Sequence, residues 1–279
     1  MGLQNTGELV AAAAAKKRGV AGFNVITIEH AEAIVAGAEL AGRPVILQIS
    51  QNAVTFHGWR LGPVALASRA VAEAATVPVA LHLDHVESVE LLRQAPEYGF
   101  GSVMYDGSTL PYDENVAATR QAADFAHRHG LWLESELGEV GGKDGAHAPG
   151  VRTDPDEARD FVAATGVDAL AVAVGSSHAM TSQTASLDHA LIGRLAGAVP
   201  VPLVLHGSSG VPDEELVTAV GAGMVKINIG TALNVAYTAA VRSYLDAKPD
   251  AVDPRKYLAP ARDAVAELVA HYVRLLAPA

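Results

Sequence analysis

The chain has 279 residues, half of them hydrophobic, and its 20 basic and 31 acidic residues leave a net charge of −11. This length and apolar content suffice for a large buried core. The acidic balance, without a long basic run, excludes a broad electrostatic surface for nucleic acid or an anionic membrane. Cysteine is absent, which excludes disulfides, thiolate metal sites and cysteine nucleophiles.

The N-terminal apolar run does not resemble a secretion signal. Residues 11–15 are all alanine, but Glu8 precedes them and Lys16, Lys17 and Arg18 follow. A signal peptide carries its positive charge first and has a longer apolar stretch. The run predicts an amphipathic helix instead, and we expect a cytoplasmic protein with neither a membrane nor a nucleic-acid partner.

Short runs rich in valine, isoleucine and leucine alternate along the chain with segments typical of helices. The predicted strands span residues 20–26, 44–49, 77–83, 101–105, 131–137, 167–174, 201–206 and 224–229. Several of them are apolar throughout, as strands covered on both faces are.

Helix-opening residues fall between these strands. Asp113 is a predicted cap for a helix to about His127, and Asp154-Pro155 and Val211-Pro212-Asp213 are typical helix openings. The alternation predicts a single α/β domain over residues 1–279, a (β/α)₈ TIM barrel with a C-terminal helical extension over about residues 232–279. An open doubly wound sheet is the alternative.

Polar residues follow nearly every predicted strand. In a barrel the carboxyl ends of the strands share one rim, where the active site lies. Each residue alone has a structural explanation, but unpaired polar groups are costly to bury. The residues at these ends are Asn24, Ser50, Asp84, His85, Glu134, Glu136, Ser177, His178, His206, Asn228 and Thr231.

Histidines end the third, sixth and seventh predicted strands. His85, His178 and His206 with an open fourth position suit a catalytic zinc, because neutral imidazole is a good zinc ligand and cysteine is absent. Glu136 supplies a nearby carboxylate. Because side chains alternate along a strand, His82 lies on the same side as Asp84. His82 therefore has two interpretations, a supporting role at the site and a purely structural role.

The turn after His206 has the composition of a phosphate cradle. The sequence Gly207-Ser208-Ser209-Gly210 precedes a predicted helix, so its backbone N–H groups and the positive helix end favour an anion. Asn228 and Thr231 on the next strand lie where barrels often complete a phosphate site.

Together these segments resemble the class II, metal-dependent ketose-bisphosphate aldolases, a family that includes fructose-1,6- and tagatose-1,6-bisphosphate aldolases. The resemblance extends over essentially the whole chain. The segments that carry it are Gly22-Phe23-Asn24-Val25, Leu83-Asp84-His85, Glu134-Ser135-Glu136-Leu137-Gly138, Gly175-Ser176-Ser177-His178, Leu205-His206-Gly207-Ser208-Ser209-Gly210 and Lys226-Ile227-Asn228.

The resemblance implies a role for each matching position. It implies zinc or another divalent metal on His85, His178 and His206, with Glu136 as an alternate ligand, and Asp84 as the acid/base at the C4 hydroxyl. It implies that the substrate phosphate meets Gly207, Ser209, Asn228 and Thr231 near a monovalent cation, Na⁺ or K⁺. It places Asn24 and Ser50 at substrate-contacting positions.

The resemblance also implies an oligomer. The segment Asp253-Pro254-Arg255-Lys256-Tyr257 is similar to one that sends an arginine into a neighbouring subunit's site to hold the far phosphate. Arg255 is the matching residue, and a homodimer or homotetramer is expected.

The sequence departs from the family pattern at three places. Ala179 and Met180 follow His178, where relatives have glycine and an aromatic residue. Lys143-Asp144 occupies the lid position of a glutamate that acts as second acid/base, so Asp144 is the candidate for that role. Gly230 stands where fructose-specific members have aspartate and tagatose-type members a small residue.

The expected reaction is reversible cleavage of a ketose 1,6-bisphosphate to dihydroxyacetone phosphate and glyceraldehyde 3-phosphate. A metal stabilises the negative charge on the C2 oxygen while Asp84 takes the C4 proton. A Schiff-base aldolase using Lys226, a zinc hydrolase and a non-catalytic sugar-phosphate sensor are the alternatives. The histidine triplet argues against the Schiff-base aldolase, and the phosphate-binding turn argues against the hydrolase. The adjacency of Asp84 to a metal ligand argues against the sensor.

Overall fold

A computed structural model describes residues 2–137, 152–178 and 180–277. Nine strands lie in these described ranges. They are β1 (Gly2–Leu3), β2 (Val20–Asn24), β3 (Val45–Ser50), β4 (Pro78–Val86), β5 (Ser102–Tyr105), β6 (Trp132–Glu136), β7 (Ala169–Ala171), β8 (Leu203–Leu205) and β9 (Met224–Ile229).

Strands β2 to β9 form a closed parallel barrel. Each pairs with the next along the chain, and β9 returns to β2, with Gly22 opposite Asn228. Because the ring closes, the predicted (β/α)₈ barrel is confirmed and the open doubly wound sheet is wrong. The two-residue strand β1, which the sequence pattern does not predict, adds to the outside of β4.

Helices connect the strands and surround the barrel. Those in the described ranges are α1 (Thr6–Ala15), α2 (Ile28–Ala41), α3 (Gln51–Phe56), α4 (Leu61–Ala74), α5 (Val89–Leu92), α6 (Tyr112–Arg128), α7 (Pro155–Thr165), α8 (His189–Ala198), α9 (Asp213–Ala222), α10 (Thr231–Ala247) and α11 (Pro254–Leu276). A 3₁₀ turn, Ser208–Gly210, follows β8.

The helix starts largely follow the sequence signals. Asp154 caps α7 by accepting the backbone N–H groups of Asp156 and Glu157, as its position before Pro155 predicts. The predicted cap at Asp113 is wrong, because α6 begins at Tyr112. Asp113 lies instead in the first turn, where a carboxylate still favours the positive end of the helix.

The lower end of the barrel is apolar. Helix α1 places Leu9 and Val10 against an interior layer to which Val20, Ile46 and Ala80 contribute. Burial of this layer by α1 closes the barrel opposite the rim. None of the helices in the described part of the chain combines the length and apolar character needed to cross a bilayer.

The next interior layer toward the rim is polar. Gln48, His82, Glu134 and Lys226 are all fully buried there. Burial of such groups is costly unless they are paired. The hydrogen bonds and ion pairs within this polar layer therefore support the site residues at the rim above it.

Candidate active site

A cavity of about 840 Å³ opens at the carboxyl ends of the barrel strands. All but two of the predicted site residues line it. Those that do are Asn24, Ser50, Asp84, His85, Glu136, His178, His206, Gly207, Ser209, Asn228 and Thr231. Asp144 lies outside the described residues, and Arg255 does not line the cavity of its own chain.

A backbone irregularity brings Asp84 and His85 to the same cavity. Neighbouring residues of a regular strand point to opposite faces. The pairing of β4 with β5 shifts register between Leu83 and Val86, and His85 has a φ of 47°. A bulge of this kind redirects a side chain, so His85 joins Asp84 on the interior side.

The three predicted metal ligands come together. Nε2 of His85 lies 2.9 Å from Nδ1 of His206. The ring centroid of His178 is 5.1 Å from that of His85 and 5.8 Å from that of His206. One nitrogen from each ring lies within 4.8 Å of the others, a spacing that suits a single divalent cation bound by three imidazoles.

Carboxylates orient two of these rings through their outward nitrogens. Nδ1 of His85 lies 2.8 Å from Oδ2 of Asp106, and Nε2 of His206 lies 2.8 Å from Oε1 of Glu134. Metal-binding histidines characteristically use the second nitrogen in this way, because it fixes the ring and its tautomer. The donor set and its support therefore fit a metal ion.

The charge around His85 also favours a cation. Burial lowers the pKa of His85, but the Asp84 carboxylate and the hydrogen bond to Asp106 outweigh burial and raise the pKa to about 10. A metal bound there competes with a proton, because imidazole must be neutral to coordinate.

Glu136 supplies the carboxylate that the sequence predicts near the metal. It is buried at the end of β6, and the Asn115 side chain donates to its backbone carbonyl at 3.2 Å. An oxygen of Glu136 lies within 4.8 Å of ligand atoms of His85 and Asp106. This grouping suits an alternate position for the same cation.

Asp84 is a buried carboxylate that lines the cavity. Burial raises its pKa, whereas His85 and the neighbouring His82 ring lower it, and the net pKa lies well below the usual value. Asp84 is therefore ionised and able to accept a proton from a bound hydroxyl.

The turn after β8 has the geometry of an anion cradle. Gly207 has a φ of 66°, and a Cβ there would lie 2.6 Å from the carbonyl of Ser177. The Ser209 hydroxyl accepts the backbone N–H of Ala232 at 3.0 Å, which joins the turn to the start of α10. Thr231 begins that 17-residue helix, so the positive helix end and the turn face one space.

Asn228 joins the metal site to this cradle. Its Nδ2 lies 3.0 Å from Nε2 of His206, while its buried Oδ1 has no hydrogen-bond partner among the described residues. An unpartnered buried oxygen at a cavity wall is suited to a ligand or a cation.

Arg255 lies apart from these groups. It is exposed at the start of α11 and pairs with Asp253, whose Oδ2 accepts its Nη2 at 2.8 Å. It also donates through Nε to Oδ1 of Asp253 at 3.0 Å. The single chain therefore does not bring Arg255 into its own cavity.

Sequence reasoning misses Asp106, which orients His85, and does not find the orienting role of Glu134. Asp106 directly follows β5 and also accepts the Ser108 hydroxyl at 2.6 Å. Its position immediately after a strand is the same signal that identifies the other rim residues. Glu134 is recognised only as a strand-end residue, because its contacts with His206 and Lys226 join distant parts of the chain.

The closed barrel and the histidines and carboxylates at its rim define a (β/α)₈ barrel enzyme with a site able to hold a divalent cation. A family model described as Fructose-bisphosphate aldolase class-II matches residues 4–279. The chain belongs to the class II fructose-bisphosphate aldolase family and is a metal-dependent aldolase, a carbon–carbon lyase. The resemblance found in the sequence is thereby confirmed.

Individual relatives are similar in sequence to this chain over nearly their full length. A "Probable fructose-bisphosphate aldolase" of Bacillus subtilis (strain 168) is 40% identical over 272 residues, covering 96% of this chain and 95% of the relative. The "Fructose-bisphosphate aldolase" of Geobacillus stearothermophilus is 39% identical, covering 95% and 93%. The crystal structure of the YdjI aldolase from Escherichia coli K12 has a TM-score of 0.86 at 34% identity, covering 99% of this chain and 97% of that one.

Proposed function

We propose that the protein catalyses the zinc-dependent, reversible aldol cleavage of a ketose 1,6-bisphosphate of the fructose or tagatose type. The products are dihydroxyacetone phosphate and glyceraldehyde 3-phosphate. The observation that carries the proposal is the meeting of His85 and His206 at 2.9 Å beside a buried carboxylate and a phosphate-binding turn. The names of the bacterial relatives support the substrate class.

His85, His178 and His206 would hold the zinc ion, and Glu136 offers an alternate ligand. The ion, when bound, supplies Lewis-acid stabilisation of the negative charge that develops on the substrate's C2 oxygen. Asp106 and Glu134 keep two of the three rings in ligand geometry through the hydrogen bonds described above.

Asp84 is the acid/base at C4. In cleavage its carboxylate accepts the proton of the C4 hydroxyl while the C3–C4 bond breaks, and the C4 carbonyl forms. In synthesis it returns that proton. Asp144, outside the described residues, is the candidate for the proton at C3.

The substrate phosphate binds the cradle. The backbone N–H of Gly207, the Ser209 hydroxyl and Thr231 at the helix start would contact it, and Asn228 would contact it or an accompanying Na⁺ or K⁺. Asn24 and Ser50 line the same cavity and would bind sugar hydroxyls.

Arg255 is proposed to act across a subunit boundary. Its exposed position outside its own cavity is compatible with reaching the far phosphate in a neighbouring copy of a homodimer or homotetramer. A cytoplasmic location follows from a phosphorylated sugar substrate.

The environment of Lys226 argues against the Schiff-base alternative. Its ammonium group is fully buried and donates to Oε2 of Glu134 at 2.8 Å. A nucleophilic lysine must present a neutral amine to substrate, whereas this nitrogen is fully buried in an ion pair that blocks approach. The phosphate cradle argues against a zinc hydrolase.

A coupled assay that detects glyceraldehyde 3-phosphate tests the proposal. It is run with fructose 1,6-bisphosphate and tagatose 1,6-bisphosphate, each with and without a chelator. Turnover of at least one epimer that chelation abolishes is expected. Chelator-resistant cleavage, or no cleavage of either epimer, would refute the proposal.

A further inference from the structure

His82 is a buried titratable residue that the mechanism above does not use. It lies on β4 two positions before Asp84 and is fully buried in the barrel interior. Side chains of neighbouring residues lie against both of its ring nitrogens.

One side of the ring is anchored to the base of the barrel. Nδ1 of His82 lies 2.7 Å from the hydroxyl oxygen of Ser102 on β5. The Ser102 hydroxyl donates to Oγ1 of Thr6 at 2.7 Å, and Thr6, the first residue of α1, is fully buried. Three elements therefore restrict the rotation of this ring.

The other side of the ring faces the candidate base. Nε2 of His82 lies 3.6 Å from Oδ1 of Asp84. Neither atom has a hydrogen-bond partner within 3.5 Å among the described residues. Oε2 of Glu134 is 3.8 Å from the same nitrogen, but it already accepts from Lys226.

This arrangement assigns different surroundings to the two oxygens of Asp84. Oδ1 is buried against His82, yet the residue lines the cavity, so Oδ2 is the oxygen that meets the substrate. The single proton of the Ser102 hydroxyl goes to Thr6, so Nδ1 of His82 donates to Ser102. Burial lowers the pKa of His82 and leaves Nε2 without a proton, so the 3.6 Å separation is a packing contact in which the ring edge limits rotation of the Asp84 carboxylate.

We propose that His82 is a positioning residue for Asp84: Thr6 and Ser102 lock its ring, and the ring holds Asp84 with one oxygen aimed at the C4 hydroxyl. The proposal rests on the role given to Asp84 under the proposed function. It extends the catalytic machinery from the rim down to the first turn of α1.

Two substitutions of His82 separate positioning from packing. His82→Asn retains a polar atom near the Nδ1 position, and the longer His82→Gln retains one near the Nε2 position. A misplaced catalytic group costs about 10²-fold, so kcat for cleavage should fall by about that factor in His82→Asn with little change in KM. His82→Gln should recover most of the loss.

A half-reaction shows which catalytic group is affected. Exchange of a C3 hydrogen of dihydroxyacetone phosphate with D₂O, followed by NMR, needs the metal site but no proton transfer at C4. His82→Asn should therefore retain this exchange and its metal content while cleavage falls. A parallel loss of exchange and cleavage would show that His82 supports the metal site instead, and would overturn the proposal.

The remote anchor provides a second test should His82→Asn fail to fold. Thr6→Val removes the hydroxyl while keeping the shape, and Thr6→Ser retains it as the matched control. Thr6→Val should lower kcat with exchange preserved, and Thr6→Ser should not. Unchanged cleavage in both Thr6→Val and His82→Asn would overturn the proposal. If the unmodified protein cleaves neither epimer, the proposed function itself has failed, which is seen before any variant is compared.

Discussion

Lys226 donates to Oε2 of Glu134 at 2.8 Å, and neither side chain has any exposed surface. The other oxygen of Glu134 lies 2.8 Å from Nε2 of His206. Burial raises the pKa of Glu134, but Lys226 and His206 outweigh burial and lower it to about 2. The lysine therefore holds an ionised carboxylate beneath a candidate metal ligand, so its charge serves the site without contacting substrate.

Removal of the metal should abolish cleavage, because no lysine or arginine among the described cavity residues can replace it at the C2 oxygen. Dialysis against a chelator followed by zinc or cobalt should remove and then restore turnover. Borohydride added with substrate should leave the intact mass unchanged. A reduced adduct on Lys226 would contradict this expectation and favour the Schiff-base mechanism.

Lys226→Met should destabilise the fold, because it leaves Glu134 as an uncompensated buried charge. Breaking one side of a buried pair typically costs about 3–5 kcal/mol, measured here as the free energy of unfolding in urea. The double variant Lys226→Met with Glu134→Gln removes both charges and should recover most of the loss. Equal destabilisation in the single and double variants would mean that packing, rather than charge, accounts for the effect.

Asp84→Asn keeps the shape of the side chain and removes the base. We expect kcat to fall by about 10²–10⁴-fold, with metal content measured by atomic emission near that of the unmodified protein. Glu87→Gln, which changes another carboxylate lining the cavity, is the control. Retention of most turnover by Asp84→Asn would make Asp84 a structural residue.

Gly230 predicts weak discrimination between the two C4 epimers. A site built to bind a hydroxyl rejects the wrong analogue by about 10⁴–10⁵-fold because a polar group is left unpaired, and Gly230 offers no side chain. We expect the ratio of kcat/KM values to stay below about 10². A ratio above about 10³ in the unmodified protein would place discrimination elsewhere, for example in the Lys143-Asp144 lid.

Gly230→Asp should shift preference toward fructose 1,6-bisphosphate. A Cβ at residue 230 would lie 3.2 Å from Cγ of Asn24, so some activity is lost through crowding alone. Gly230→Ala carries the same Cβ without the carboxylate and serves as the matched control. The ratio of kcat/KM values for the two epimers should change in the aspartate variant only.

The eight barrel strands and most of the cavity residues are predictable from the sequence, because apolar runs and the polar residues that end them are local signals. The bulge that turns His85 inward is not, since simple alternation places it opposite Asp84. The pairing of Glu134 with Lys226 is likewise invisible, because it depends on which strands become neighbours across the barrel.

The closure of β9 onto β2 has a consequence for how the molecule is made. Val20 pairs with Lys226, so the first barrel strand finds one of its two neighbours only after nearly the whole chain has been synthesised. Contacts so distant in sequence slow folding. Glu134 is synthesised long before Lys226, the cation that its buried carboxylate requires as a partner. Closure of the ring and neutralisation of Glu134 at its centre therefore both depend on β9.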